Sequence, residues 1–356
     1  EITWQDYLKS VELVAVSLSQ ELHFKSGEKL AIIGENRPQW LYAQMATQLL
    51  GGVSVGVYQE SLPEQIEFYL NDCKARIVIV EDQEQVDKLL EIEDRLPLVE
   101  HIIYYNKQGL RHYKHSKLSF LDDLMQKGQD LLKGHLNFYE EQAKKLDTHS
   151  PAVIAYSAAT SGRPKGAILT HFNLINAAKN LTEQEEMKKN DDYFSFLPLS
   201  WVNEKVVSTV VPLIIGFATN FPEKPHTVMV DLREIGPQTL LAPPRVYQSL
   251  MSNFIIRMEG ASWFKLKVYG LFKKYGDKKA VADANNEVLS GMDKFMYFLG
   301  DAIIFSAIRD HLGLGRLRRA YVAGAALQQD AFHFYHSIGV NLKQTYGGTE
   351  VAGIAF

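Results

Sequence analysis

The segment Tyr156-Ser157-Ala158-Ala159-Thr160-Ser161-Gly162-Arg163-Pro164-Lys165-Gly166 gathers small, hydroxyl and cationic residues directly after an apolar run. Small residues let the backbone approach an anion closely, and hydroxyl and N–H groups donate to phosphate oxygens. Lys165 adds a compact positive charge. The chemistry on offer is phosphate binding, although the composition alone also fits an ordinary polar turn after a strand. It is not a Walker A loop, which needs Ser or Thr after the lysine, where Gly166 stands here. Nor is it a Gly-x-Ser-x-Gly nucleophile elbow. Other reactive side chains lead less far. His112 and His115 could ligate a metal, but no further cluster of ligating residues adjoins them, and a solvated loop is the plainer reading. Cys73 is the single cysteine, so no intrachain disulfide can form, and no catalytic pattern surrounds it. A small buried residue in a reducing compartment is expected there.

The elements that must position the loop alternate between two periodicities. Thr3 and Asp6 predict a capping box, followed by Tyr7, Leu8, Val11, Ala15, Leu18 and Leu22 at helical spacing. Leu30 to Ile33 reads as a buried strand, 38–50 as a helix stopped by Gly51-Gly52, and 53–57 as a second strand. Ser61-Leu62-Pro63-Glu64 predicts another capped helix start, and Ile77 to Val80 a strand of a parallel sheet. Residues 105–150 are polar and weakly periodic and read as a connection with one or two helices. From Pro151 the pattern resumes, with strands expected at 152–156, 193–197, 227–230, 239–242, 319–323 and 341–345 and a helical stretch over about 246–312. Strands alternating with helices give an α/β fold with a largely parallel sheet. The expected division is a first lobe with its connecting segment over 1–150 and a second lobe over 151–356.

The loop closely resembles the phosphate loop of the adenylate-forming superfamily, which includes acyl-CoA synthetases, luciferases and peptide-synthetase adenylation domains. That pattern runs Tyr/Phe-Thr-Ser-Gly-Thr-Thr/Ser-Gly-x-Pro-Lys-Gly. The chain matches it at Tyr156, Thr160, Ser161, Gly162, Pro164, Lys165 and Gly166, and departs at Ala158 and Ala159. Gln344-Thr345-Tyr346-Gly347-Gly348-Thr349-Glu350 follows in the right chain order and resembles the family's Tyr-Gly-x-Thr-Glu. Ala323-Gly324-Ala325-Ala326 is similar to the Gly/Ala loop beside adenine. Leu197-Pro198-Leu199-Ser200-Trp201-Val202-Asn203-Glu204 resembles Leu-Pro-Leu-x-His-x-x-Glu, with Trp201 in place of the usual His; a core aromatic is an equal reading of Trp201. Residues 31–40 and 242–247 look like segments of bacterial long-chain fatty acyl-CoA synthetases. The resemblance covers nearly the whole chain, with 105–150 the least clear stretch.

The resemblance implies the layered αβαβα large N-terminal domain of that superfamily and a two-step reaction. A carboxylate attacks the α-phosphate of ATP to give acyl-adenylate and pyrophosphate, and the thiol of coenzyme A then releases AMP. It assigns the β- and γ-phosphates to Ser157, Thr160, Ser161, Gly162 and Lys165, with Thr160 or Ser161 and Glu350 on Mg²⁺. Adenine falls to Gly324, Ala325, Ala326 and Tyr346, with Gln344, Thr345 and Gly347 beside it, and the α-phosphate to Thr349. Trp201, Val202 and the Gly347-Gly348 turn would border the acyl group of a fatty acid, "long-chain" resting on resemblance alone. Thr160, Lys165 and Glu350 are the expected catalytic residues. Family members continue with a ribose-binding Asp, a hinge and a smaller C-terminal domain bearing a catalytic Lys, whereas this chain ends six residues past Glu350 and opens without an initiator Met. A fragment is therefore expected, lacking that domain and weak or inactive alone. Two other functions stay open: an acyl-AMP ligase that delivers to a carrier protein, and a non-catalytic nucleotide-binding homologue.

Bulk properties agree. The 356 residues are 46% hydrophobic and 22% charged with a net charge of −4, ordinary for a globular protein large enough for two packed lobes. No strongly basic balance suggests nucleic acid. No signal-peptide pattern and no run of roughly 18 apolar residues is visible. The expected setting is cytoplasmic. The basic, aromatic stretch 263–279 has two readings, peripheral contact with an anionic membrane inner face or a surface helix with its aromatic side in the core; the second is the commoner arrangement. Oligomeric state is not legible.

Overall fold

The computed structural model describes residues 1–135, 137–157 and 163–355. Two compact units form. The first comprises Glu1–Lys179, Pro198–Val210 and Gly348–Gly353; the second comprises Asn180–Leu197, Val211–Gly347 and the last residues from Ile354.

The first unit is built on β1 (Lys29–Ile33), β2 (Val53–Val57), β3 (Ala75–Val80), β4 (His101–Tyr104), β5 (Leu118–Phe120), β6 (Pro151–Tyr156) and β7 (Gly166–Thr170), in the order β5-β4-β3-β1-β2-β6-β7. All neighbours are parallel except β6 and β7, which form an antiparallel pair at the edge. The alternation of side chains along β3 explains the layers. Ile77 and Ile79 pack with Leu18, Trp40, Ala43 and Leu121 of helices Trp4–Gln20, Pro38–Leu49 and Leu121–Leu132. Val78 and Val80 face the other way, onto Ile66, Leu70, Val86 and Leu89 of helices Pro63–Cys73 and Gln83–Glu91. A strand buried on both faces needs a continuous apolar run, which is what Ile77 to Val80 supplies.

Local signals acted as read at Thr3, whose Oγ1 accepts from the Asp6 N–H at 3.1 Å. At the third helix the start shifts by one residue. Pro63 occupies the first helical position, so the cap is Leu62, whose N–H donates to Gln65 Oε1 at 2.9 Å. Ser61 is buried instead of capping. Residues 105–150 contain helices Leu121–Leu132 and Phe138–Ala143, together with β5, which the polar composition concealed. Pro151–Tyr156 and Gly166–Thr170 belong to the first sheet, because Ser54 and Val55 of β2 pair with Val153 and Ile154. They lie in the first unit, whereas the expected second lobe starts at 151.

The second unit carries β8 (Asp192–Phe194), β9 (Ala218–Asn220), β10 (Thr239–Ala242), β11 (Arg319–Val322) and β12 (Leu342–Gln344), all parallel, in the order β12-β11-β10-β8-β9. Leu240, Ala242 and Val322 pack with Tyr247, Leu250, Phe272, Phe305 and Tyr335 of the surrounding helices. Arg319 is buried at the start of β11. Its guanidinium donates to Asp191 at 2.8 Å, to Thr239 at 3.0 Å and to the carbonyls of Glu185 and Glu186 at 2.6 and 2.9 Å. A buried charge survives only when satisfied in this way.

One expectation fails here and another holds only in part. Residues 227–230 are helical, within Pro225–Thr227 and Val228–Ile235. Thr227 Oγ1 donates to Asp231 at 2.6 Å, four residues on, and Gly236 ends the helix at φ 54°, so turn chemistry outweighs the β-branched run. In helix Trp263–Asn285 only part of the aromatic content is buried: Phe272 is in the core, while Trp263 and Phe264 are 71% and 67% exposed.

Candidate nucleotide site

The phosphate-loop candidate is the connection of the β6/β7 hairpin. Tyr156 pairs with Gly166, and the Ser157 N–H donates to the Lys165 carbonyl at 3.0 Å, with Ser157 Oγ on the same oxygen at 3.4 Å. These bonds close the base of the loop and hold its two limbs together, with Lys165 exposed. Ala158, Ala159, Thr160, Ser161 and Gly162 lie outside the described residues, so the expected phosphate and Mg²⁺ roles of Thr160, Ser161 and Gly162 have no geometry here. Tyr156 anchors the entry to the loop. Its hydroxyl donates to Asp72 at 2.6 Å and its ring lies 4.7 Å from that of Tyr69. Burial and the Asp72 carboxylate raise this phenol far above the usual range, so it remains a donor. On the other limb the Arg163 guanidinium sits 5.8 Å from the Phe68 ring centroid. An open cleft of about 650 Å³ lined by Phe68, Tyr69, Asp72, Arg163 and Pro164 runs alongside. Asp72 and Phe68 were missed by sequence reasoning. They sit on helix Pro63–Cys73, about ninety residues upstream, with no local signal linking them to the loop.

In the second unit the adenine-loop candidate leaves the carboxyl end of β11 and the Tyr346 segment leaves the carboxyl end of β12. The strands are neighbours, with Val322 paired to Gln344. Gln344 ties the two exits together. Its amide nitrogen donates to the carbonyls of Val322 and Ala325, both at 3.2 Å, and its Oε1 accepts from the Leu327 N–H at 3.2 Å. Thr345 adds its N–H and hydroxyl to the Val322 carbonyl, both at 2.9 Å. Gly324, Ala325 and Ala326 are thereby held exposed. Gly324 has φ 90°, and a Cβ there would meet nothing within 4 Å. The position therefore demands glycine for its backbone and leaves open space beside a bare peptide, which suits the close approach of a planar base. Tyr346 is 67% exposed, with its carbonyl accepting from the Ala355 N–H at 2.9 Å.

The chain then enters a short hairpin, β13 (Gly347–Gly348) and β14 (Gly353–Ile354), around a 3₁₀ turn, Thr349–Val351, that lies beside β7. Ala352 closes the turn at φ 59°, its N–H on the Thr349 carbonyl at 3.2 Å. Glu350 is exposed, and its carboxylate lies 3.3 Å from where a Gly348 Cβ would stand, so glycine makes room for it. An exposed carboxylate is the type of donor that a hard, oxygen-seeking cation such as Mg²⁺ prefers. Among the described residues no group of three His, Cys, Asp or Glu is placed to hold a metal. His115 is paired with Glu93 at 2.9 Å.

Trp201 caps helix Val202–Lys205 and is half-buried, while Val202 is buried. A Cβ at Gly353 would strike Asn203 Oδ1 at 2.6 Å, so β14 runs directly against this helix. Sequence reasoning did not single out Lys205, which is fully buried and donates to Gln44 Oε1 at 2.9 Å. The available signal was a lysine at the mouth of the apolar run 206–218.

The description "AMP-binding enzyme" matches the chain over residues 1–356. Among curated relatives, the long-chain-fatty-acid–CoA ligase ACSBG2 of Xenopus laevis is 26% identical over 331 residues, covering 91% of this chain and 44% of its own. The ligase of the same name from Gallus gallus is 28% identical, covering 91% and 42%. ACSBG1 of Homo sapiens is 23% identical, covering 94% and 46%. The chain thus spans about half the length of the curated relatives it matches. Among solved structures, the anthranilate CoA ligase AuaEII in complex with anthranoyl-AMP superposes with a TM-score of 0.68 at 18% identity, covering 98% of this chain and 55% of that one. ATP-bound MatB from Rhodopseudomonas palustris gives 0.65 at 16% identity, covering 98% and 55%. These likenesses are of fold, that of the N-terminal domain of adenylate-forming enzymes. With a family match along its whole length, the chain belongs to the AMP-binding enzymes.

Proposed function

We propose that the intact protein activates a fatty acid, of the long-chain class, to acyl-adenylate and then to acyl-CoA, and that this chain supplies the nucleotide-binding part. The observation that carries the reading is the pair of exits at β11 and β12. Two parallel neighbours deliver a glycine loop and an exposed tyrosine from their carboxyl ends, where open α/β sheets take ligands, and Gln344 fixes one against the other.

The first step needs positioning and charge neutralisation more than covalent help. Gly324, Ala325, Ala326 and Tyr346 would hold adenine, with Gln344 and Thr345 keeping the loop in place and Gly347 letting the chain turn away. Ser157 and Lys165, with Thr160, Ser161 and Gly162, would cradle the β- and γ-phosphates, and Thr349 would reach the α-phosphate. Glu350 and Thr160 would hold Mg²⁺, which neutralises the phosphate charge that builds as pyrophosphate departs. Trp201, Val202 and Gly348 would border the acyl group. Coenzyme A is the proposed acceptor.

The test is fatty-acid-dependent ATP–pyrophosphate exchange with Mg²⁺ in the full-length protein. Glu350→Ala should lower exchange by at least about a hundredfold if the carboxylate stabilises charge only in the transition state. ATP binding without exchange for any carboxylate would establish a non-catalytic nucleotide binder. Exchange followed by transfer to a carrier protein but not to coenzyme A would establish the other ligase class.

A further inference from the structure

Helix Trp263–Asn285 carries six lysines and two aspartates, a cationic element in a chain of net charge −4. Phe264, Lys267, Leu271, Lys274, Lys278 and Val281 recur at spacings of three and four and therefore share one side of it. All six are exposed. Trp263, 71% exposed, stands beside the stripe, with the Lys267 ammonium 4.7 Å from its ring centroid. The far end of the stripe, Lys274, Lys278 and Val281, lines a shallow groove with Val288, which is 82% exposed. Large aromatic side chains turned outward in this number are the anomaly in a folded protein and mark a contact surface. No helix among the described residues is long and apolar enough to cross a membrane.

The distribution of charge says what covers the face. Protein interfaces gather an apolar centre and deplete it of lysine. Here three lysines are interspersed with three apolar residues along a single stripe, the pattern of a helix lying in a headgroup layer. Lys273, Lys278 and Lys279 are paired with Asp277, Asp293 and Asp283, whereas Lys267 and Lys274, both on the stripe, form no ion pair among the described residues. Their charges are open to an external anion. We propose that this face docks on an anionic phospholipid surface, with Trp263 and Phe264 entering the headgroup layer and Lys267 and Lys274 contacting lipid phosphates. The inference stands independently of the adenylation reading.

Co-sedimentation of the full chain with vesicles of phosphatidylcholine, with and without phosphatidylglycerol, tests it. Binding is expected only to the vesicles that contain phosphatidylglycerol, falling as salt rises. Trp263→Ser with Phe264→Ser should weaken it by about tenfold, and Lys267→Glu with Lys274→Glu by more, since each lysine near an anionic surface contributes severalfold. The replaced side chains are exposed, so urea midpoints should be unchanged, and Lys133→Glu, on the first unit, should bind as the parent does. Equal binding to pure phosphatidylcholine, no binding to either vesicle, or full binding by both variants would overturn the proposal. So would an oligomer that the aromatic double variant disperses, which would assign the face to a second copy of the chain.

Discussion

Lys205 offers the sharpest test of the physical account. Lys205 is 1% exposed, and its ammonium donates to Gln44 Oε1 at 2.9 Å, with the Trp40 ring centroid 5.6 Å away. Gln44 in turn donates to Thr209 at 3.3 Å, and Thr209 donates to the Lys205 carbonyl at 2.6 Å. Glu204, buried next in sequence, accepts from Ser208 at 2.6 Å. Burial lowers the Lys205 ammonium from 10.5 to about 7. Below about pH 7 the lysine is charged in both folded and unfolded states, and the fold bears the full desolvation cost. Between about 7 and 10.5 the folded protein has released a proton that the unfolded chain still holds, so stability rises with pH and the cost fades. At 1.36 kcal/mol per pK unit, that cost is of order 5 kcal/mol.

Lys205→Met keeps the volume and removes the charge, and it strands Gln44 Oε1 at roughly 1–2 kcal/mol. The variant should therefore be more stable than the parent by about 3 kcal/mol near pH 6 and less stable by about 1 kcal/mol near pH 10. Buried phenols such as Tyr156 and Tyr247 titrate alike in both proteins, so they cancel in the difference. Urea unfolding at several pH values, with m unchanged, reads the gap directly. A gap that does not vary with pH, or a Met variant that is less stable near pH 6, would refute the buried-ammonium account.

Three further outcomes follow from named contacts. Gln344→Ala removes the bonds to Val322, Ala325 and Leu327 and should raise the dissociation constant for ATP by about tenfold while the urea midpoint hardly moves; unaltered affinity would disconnect this loop from nucleotide binding. Asp191→Ala leaves Arg319 buried without its carboxylate and should cost about 3 kcal/mol, the low end for a broken buried pair because Thr239 and two carbonyls still accept from it; a loss within experimental error would mean the pair is solvated. Cys73 is 4% exposed, and burial pushes its thiol up to about 12, so iodoacetamide near pH 8 should label it only in denaturant. Labelling of the native protein at the rate of a free thiol would contradict that environment.

What could be read ahead of the structure depended on how local its cause was. The β3 strand was legible because a run such as Ile77 to Val80 has one stable fate, burial on both faces, and the Thr3 cap because its partner is three residues away. Residues 227–230 were misread because four apolar and β-branched residues look the same in a strand and a helix, and the deciding bond from Thr227 to Asp231 lies just past that window. The helix start at Pro63 slipped by one residue because the proline, not the serine before it, sets where the first turn begins. Of the aromatics in 263–279, Tyr269, Phe272 and Tyr275 pack in or against the core while Trp263 and Phe264 stay exposed, a division that composition alone does not reveal. In the site, Gln344, Thr345 and Tyr346 were legible as types in order. The bonds from Gln344 to residues about twenty positions earlier, and from Tyr156 to Asp72, depend on chain separation that no motif encodes.

The carboxyl ends of strands explain why the motifs are compact in sequence and scattered along it. In a parallel sheet every strand points the same way, so the segments that leave neighbouring strands emerge side by side however far apart they are in the chain. β11 and β12 are neighbours, and their exits at 323–326 and 345–346 come together on that account, with Gln344 completing the arrangement. In the other sheet β6 enters parallel to β2, and its loop 157–165 likewise leaves from a carboxyl end. There the chain returns at once through antiparallel β7, so the loop's two limbs are fixed by hairpin bonds at Ser157 and Lys165 instead of by a following helix. Under the proposed function, Ser157→Pro, which removes the N–H that donates to the Lys165 carbonyl, should raise the dissociation constant for ATP, and a nucleotide titration that shows no change would separate this base from phosphate binding.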